Sequence, residues 1–165
     1  MKKLTSVLFI LTAILFLTGS LQAAEKLAYI DLSRTFNEYN KTKDYDKKLT
    51  DKESSYISER DKRVGEFNAY RDKFALLSDK EKDSKKNEFE SKAKVLKDFI
   101  NQKEGDLRKD QEEKMKEILN DIQAAVKEFS EKSGITMVLN DRVLVYQIKS
   151  QDITDDIIKI LNKKK

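Results

Sequence analysis

The residues that could take part in catalysis are mainly carboxylates and lysines. The 165-residue chain contains no histidine and no cysteine, which removes the commonest general bases, thiol nucleophiles and soft metal ligands. Asp155 and Asp156 form an adjacent carboxylate pair, but nothing around them predicts the desolvated pocket that general acid–base chemistry needs. The four glycines are too scattered to form a phosphate-binding loop. The sequence therefore predicts a non-enzyme that uses no cofactor and no metal ion.

Non-covalent binding is the chemistry that remains, and a group of apolar residues in the middle of the chain is suited to it. Adjacent pairs such as Val95-Leu96 and Phe99-Ile100 cannot both face one helix–helix seam, so some of the group should face away from it. The alternative, that most of the group forms a seam between helices, stays open for each residue. The candidate binding residues are Phe67, Tyr70, Phe74, Phe89, Val95, Leu96, Phe99 and Ile100.

The long segment 41–129 is predicted to form two helices folded back on each other. Between Asn40 and Ser133 there is no proline, and apolar residues recur at steps of three and four, which is helical spacing. The outgoing and returning positions also mirror each other around Lys82, as expected of an antiparallel pair. The mirrored pairs are Phe74 with Phe89, Phe67 with Leu96, Val64 with Ile100, Ile57 with Leu107, and Leu49 with Met115.

The reversal between these helices, the tip of the arm, is predicted near 78–84. Ser78 or Asp79 is suited to cap a helix, and Asp83 or Ser84 to start the return helix. An arm of about 37 residues would project roughly 55 Å. Such a thin arm buries too little apolar area to stand alone, so a separate base must hold it.

The ends of the chain, 24–40 and 130–165, are predicted to form that base. Leu27 to Leu32 has the composition of a short strand, and Ser33 is suited to cap the helix that follows. At the far end, Asp152 is suited to cap a terminal helix with one apolar face. We expect these pieces to pack at the root of the arm.

The segment GITMVLNDRVLVY is predicted to supply two more strands. Gly134 suits the left-handed end of the return helix. Ile135 to Leu139 and Val143 to Ile148 are rich in β-branched residues, and Asn140 to Arg142 suits a hairpin loop between them. The expected fold class is therefore mainly α with a small β part (α+β).

Three short strands are too few for a stable sheet, and their edges would be open. Joining copies of the chain around an axis would cover those edges and merge the small cores, so a homo-oligomer is expected. The predicted oligomerisation residues are Leu27, Tyr29, Ile30, Ile135, Met137, Val138, Leu139, Val143 and Val145.

Residues 1–23 have the layout of a secretory signal peptide. Lys2 and Lys3 form a basic start, Leu4 to Thr18 is apolar, and small residues lead to a cleavage site after Ala23 or Ala24. An uncleaved membrane anchor is the alternative, although the apolar run is shorter than the ~20 residues that span a bilayer. Because the chain has no cysteine, an exported form must be stable without disulfides.

The charge pattern argues against nucleic acid as a partner. Removing Lys2 and Lys3 leaves 32 basic and 30 acidic residues, which lowers the net charge from +4 to +2. Nucleic-acid-binding proteins normally carry a one-sided basic patch, whereas here the two signs alternate along the helices. No nucleic-acid partner is expected.

The order of these parts resembles the Skp/OmpH family of periplasmic chaperones. The parts are a signal peptide, KLAYIDLSRTF, a long charged hairpin, GITMVLNDRVLVY and DITDDIIKIL, and together they cover essentially the whole mature chain. The resemblance implies a periplasmic homotrimer in which the short strands form a central β-barrel and three hairpins surround a cavity. It also implies that the cavity holds unfolded outer-membrane proteins without ATP before their insertion.

For that function, the candidate binding residues would contact the client protein. The main alternative is an envelope adaptor that uses the coiled coil to bind a folded partner. Some members of the family have strongly basic arm tips that are proposed to touch lipid. Here Ser78 to Lys94 mixes six lysines with five acidic residues, which puts membrane contact through the tip in doubt.

Overall fold

The computed structural model describes residues 25–163, and these are mostly helical with a two-stranded sheet. This confirms the predicted mainly-α class with a small β part. The expected signal peptide, 1–23, lies outside the described residues. In chain order the elements are β1 (Leu27–Ile30), α1 (Leu32–Glu38), α2 (Asn40–Ala75), α3 (Asp79–Ser133), β2 (Met137–Asn140) and α4 (Thr154–Lys163), with short 3-10 turns at Asp141–Val143 and Lys149–Gln151.

The hydrophobic core lies at the base, where both ends of the chain meet the last turns of α3. Ile118 and Ile122 of α3 are buried, and they belong to the same cluster as Ile157 and Leu161 of α4. Ile157 is fully buried because the apolar face of α4 packs onto this cluster, as its helical spacing predicts. The small core therefore anchors a much longer helix.

The sheet joins residues that are more than 100 positions apart. β1 and β2 run parallel, in a register that pairs Leu27 with Met137 and Ile30 with Asn140. On its other side, β1 is bridged by Asp152 next to Tyr29. The N–H of Ile153 donates to the carbonyl of Tyr29 at 3.0 Å, so β1 is the central element of the base. The prediction that the strands pair across the sequence is confirmed.

The predicted hairpin between Ile135–Leu139 and Val143–Ile148 is wrong. After β2, Asp141–Val143 forms a 3-10 turn that leads the chain away from the sheet. Residues 144–148 form no strand, because β1 already has a neighbour on each side and offers them no free edge. β-branched residues favour an extended backbone, but a strand also needs a partner for its backbone hydrogen bonds.

The helix ends follow local capping chemistry, with two corrections to the prediction. Ser78 caps α3 in a capping box with Glu81, so the return helix begins at Asp79 and not at Asp83 or Ser84. Gly134 ends α3 at a φ of 66°, the left-handed conformation that glycine adopts without strain. Asp31, and not Ser33, caps α1, because its carboxylate accepts the N–H of Arg34 at 2.7 Å.

A break at Tyr39 separates α1 from α2 and sets the direction in which the arm leaves the base. Asn162 of α4 bridges this break: its Nδ2 donates to the carbonyl of Glu38 at 3.0 Å, and its Oδ1 accepts the N–H of Asn40 at 2.8 Å. These bonds satisfy two backbone groups that the break leaves without helical partners. The terminal helix therefore holds the root of the arm.

Candidate functional site

The arm consists of α2 and the facing part of α3, which run antiparallel from the base to a turn at 76–78. The 36 residues of α2 correspond to roughly 54 Å. Leu76 lies in the turn and is 88% exposed. Because the two helices contact only each other over most of this length, every side chain of the arm faces either the seam or the surface.

An aromatic cluster fills the seam of the outer arm. Phe89 of α3 lies between three rings of α2, with centroid distances of 4.6 Å to Phe74, 5.5 Å to Phe67 and 6.2 Å to Tyr70. The pair Phe74 and Phe89 is one that the mirrored spacing predicts. Stacked and tilted ring pairs of this kind stabilise helix contacts beyond their buried area.

Farther from the tip, cations cover the aromatic rings. The guanidinium of Arg63 lies 4.1 Å from the ring centre of Phe99, and the Nζ of Lys103 lies 5.9 Å from it. Tyr56 lies 6.3 Å from Phe99 and donates its hydroxyl to Glu104 at 3.0 Å. These rings are therefore shielded from solvent by charged side chains.

The eight candidate binding residues differ in how far they reach the surface. Val95 is 58% exposed, while Leu96 beside it is half-buried. Phe99 and Ile100 are both half-buried, which the adjacency argument did not anticipate. Arg63 of the facing helix and Lys103 of the same helix both cover the ring of Phe99. The half-buried candidates are Phe67, Tyr70, Phe74, Phe89, Leu96, Phe99 and Ile100.

The covering cations were missed by the sequence reasoning. Tyr56 and Arg60 are four residues apart, as are Phe99 and Lys103, and this spacing places both members on one helix face. The spacing of these two pairs in the sequence could therefore have predicted both contacts. The contact of Arg63 with Phe99 joins two helices, so no spacing within one helix could have predicted it.

At the root of the arm, a charged network links α2 to α3. Lys41 lies 2.7 Å from Glu117 and 2.6 Å from Asp121. The hydrogen bonds to Asp121 and Glu117 raise the pKa of Lys41. Hydrogen bonds from Lys114 and Lys41 lower the pKa of Glu117 to about 2. Burial, together with the hydrogen bond that Tyr39 donates to Asp121 at 3.1 Å, raises the pKa of the Tyr39 hydroxyl. The root is therefore charged and hydrogen-bonded at neutral pH.

The predicted oligomerisation residues fall into three groups by their exposure. Tyr29 and Ile30 are buried within the single chain and belong to its own base. Ile135, Val138 and Leu139 are half-buried. The exposed members are Leu27, Met137, Val143 and Val145, and Val145 is 105% exposed.

Two further apolar residues after Val145 are exposed, although they were not among the predicted oligomerisation residues. Tyr146 is 83% exposed and Ile148 is 44% exposed, in the region that was expected to be a strand. Within residues 25–163, no helix has both the length and the apolar character to cross a membrane.

Comparison with known proteins identifies the family to which this chain belongs. The family model described as "Outer membrane protein (OmpH-like)" matches residues 26–161, which include α1, α2, α3 and most of α4. The chain belongs to the OmpH-like family. This confirms the family that the order of its parts resembles, and the family is one of chaperones rather than enzymes.

Two OmpH-like relatives illustrate the match. The chain is 26% identical over 150 residues to the chaperone protein Skp of Pectobacterium atrosepticum, covering 88% of this chain and 91% of the relative. It also superposes on the crystal structure of a protein from Caulobacter crescentus CB15 titled as an OmpH-like outer membrane chaperone, with a TM-score of 0.74. That match covers 86% of each chain at 9% identity, so it shows only that the two proteins share a fold.

Proposed function

We propose that this OmpH-like protein is an outer membrane protein chaperone that holds unfolded outer-membrane proteins between its arms without ATP. The observation that carries the proposal is the family match over residues 26–161, supported by the 26% identity to a protein named chaperone Skp. The scattered glycines offer no phosphate-binding loop, so binding is expected to proceed without nucleotide hydrolysis.

The physical character of the arm supports a holding role. A client must be bound strongly enough to stay out of aggregates and weakly enough to be passed on. Val95 is exposed, and the neighbouring aromatic residues are half-buried and partly covered by Arg63 and Lys92. On such a surface the apolar area is divided into small patches between charged side chains, and each patch contributes a modest binding affinity. The eight candidate binding residues remain the proposed client surface.

We infer that several chains assemble through the base, and the resemblance to the Skp/OmpH family implies that the assembly is a homotrimer. β2 has one edge next to β1 and no described strand on the other, and the exposed residues Val143, Val145 and Tyr146 follow it directly. Open edges and adjacent apolar side chains are features that soluble proteins cover by pairing with another chain. Copies of the same chain, joined through these segments, would form the central barrel and set the arms around a cavity.

The proposed location is the periplasm. The basic, apolar and small-residue segments of 1–23 fit an export signal, and the absence of cysteine means that folding after export requires no disulfide. The base, 24–40 and 130–165, is proposed as the trimerisation part and 41–129 as the client-binding arm.

Binding to unfolded and folded forms of one client separates this function from the adaptor alternative. A β-barrel outer-membrane protein is presented either unfolded, by dilution from urea, or folded in detergent micelles, and gel filtration then measures which form elutes with the chain. We expect co-elution with the unfolded form only. Co-elution with the folded form alone would contradict the holding function and favour an adaptor.

A further inference from the structure

A groove between the two arm helices combines an apolar floor with a charged rim. Its volume is about 450 Å³, within the range of roughly 300–1,000 Å³ that ligand pockets occupy. The residues of the groove that matter here are Arg63, Phe67 and Tyr70 of α2, with Lys92, Val95 and Leu96 of α3. Of the eight candidate binding residues, four meet in this one place, while Phe74 and Phe89 lie in the seam closer to the tip.

The two cations on the rim are placed over aromatic rings. The Nζ of Lys92 lies 5.1 Å from the ring centre of Tyr70, and Arg63 covers Phe99 at the neighbouring position. Lys92 also faces Glu88, but at 3.6 Å and with both side chains about half exposed. An ion pair of this kind is weak in water, so Lys92 can exchange Glu88 for a carboxylate that arrives with a ligand.

The charge around the groove favours an acidic ligand. The residues that line the groove include two cations, Arg63 and Lys92, and one carboxylate, Glu66, a net charge of +1. A local positive balance attracts segments that carry carboxylates and disfavours segments that carry lysines.

We propose that this groove binds a large apolar side chain of an unfolded polypeptide, whose neighbouring carboxylate pairs with Lys92. The inference rests on the proposed function, since it names one site and one side-chain pattern for the same clients. The apolar side chain contacts Val95, Leu96 and Phe67, and the carboxylate takes the place of Glu88 beside Lys92.

Two dye-labelled peptides test the pattern on the full mature chain. Both have a Gly/Ser background and a central Phe, flanked by Asp in one and by Lys in the other, and fluorescence anisotropy measures their affinities. We expect tighter binding of the Asp-flanked peptide, and Lys92→Glu should reduce or reverse that preference by about threefold or more. Lys94→Glu is the matched control, since Lys94 is two residues away, lies outside the groove and has a 77% exposed side chain.

A second variant tests the apolar part of the groove. Val95→Asn replaces the exposed apolar side chain with a neutral polar one and should weaken binding of both peptides, while circular dichroism shows unchanged helix content because Val95 is 58% exposed. Equal effects of Lys92→Glu and Lys94→Glu would overturn the groove, because they would mean that only the total charge matters. Unchanged peptide affinity in Val95→Asn would overturn it as well.

The failure of the groove and the failure of the function are distinguishable. If the chain keeps an outer-membrane protein soluble but binds neither peptide, or binds both equally, the groove proposal is wrong and the chaperone function stands. If both peptides bind with the predicted preference but the client aggregates, the groove is a peptide site and the proposed chaperone function is wrong.

Discussion

At the residue scale, neighbouring apolar side chains of α3 differ sharply in burial. Ile118 is 1% exposed, whereas Met115, one turn earlier, is 42% exposed. Ile118→Ala should therefore lower the free energy of unfolding by about 2–5 kcal/mol, because it leaves a cavity in the small core of the base. Met115→Ala is the matched control and should cost less than about 1 kcal/mol. Urea unfolding measures both, and equal losses would contradict the position of the core.

The charged root of the arm predicts that the stability of the fold depends on pH through the ionisation of one carboxylate, Glu117. Glu117 has a pKa of about 2 in the folded chain, below its ordinary value of 4.5. Its ionised form therefore stabilises the fold above pH 4.5, and this contribution is lost as the pH falls toward 2. Glu117→Gln should lower the Tm at pH 7, and most of the difference from the wild type should be lost by pH 2.

Glu113→Gln is the control for this titration, because Glu113 faces Lys109 at 3.8 Å and both side chains are largely exposed. Its effect on Tm should be small at any pH. A Glu117→Gln effect that is as large at pH 2 as at pH 7 would mean that the substitution perturbs packing and not the ion pairs with Lys41 and Lys114.

At the element scale, the terminal helix α4 controls the root of the arm through Asn162. Asn162→Ala removes two hydrogen bonds at the break between α1 and α2 and should cost about 1–3 kcal/mol. Asn162→Asp keeps the acceptor for the N–H of Asn40 and should cost less.

Spin labels measure the direction of the arm independently of stability. Since the chain has no cysteine, single cysteines at Leu76 and Lys159 can be labelled selectively, and both positions are largely exposed. The distance distribution between these labels should broaden in Asn162→Ala. An unchanged distribution would show that α4 does not fix the arm.

The elements that the sequence predicted correctly are those specified by local patterns. Helical spacing predicted the antiparallel arm, Ser78 matched the capping preference and Gly134 supplied the left-handed end. The mirror around Lys82 paired Phe74 with Phe89 correctly, although the turn itself lies earlier, at 76–78. The periodicity of apolar residues predicts which helix faces meet, whereas the capping residue determines where the helix begins.

The parts that the sequence did not predict depend on contacts between distant residues. Val143–Ile148 has strand composition, but its partner is decided by β1, which takes β2 on one side and Asp152 on the other. The groove likewise needs the relative rotation of α2 and α3, which brings Arg63 beside Phe99 and Lys92 beside Tyr70. Composition alone does not fix that rotation.

At the scale of the whole molecule, substitutions at two exposed apolar residues test whether the chains assemble through the base or through the arm. Val145 at the base is 105% exposed in the single chain, and Leu76 at the tip is 88% exposed. Neither change to Asp should unfold the chain, because neither side chain is packed. Native mass spectrometry should find Val145→Asp as single chains and Leu76→Asp as the trimer that we infer. Identical masses for both variants would contradict the assignment of the base as the interface.

The measurement that tests the central claim most directly is suppression of client aggregation. A urea-unfolded β-barrel outer-membrane protein is diluted into buffer without nucleotide, and light scattering is followed with and without the mature chain. The account predicts that scattering is abolished at a stoichiometric ratio of assembly to client. Scattering that stays unchanged in an excess of the folded, assembled protein would contradict it.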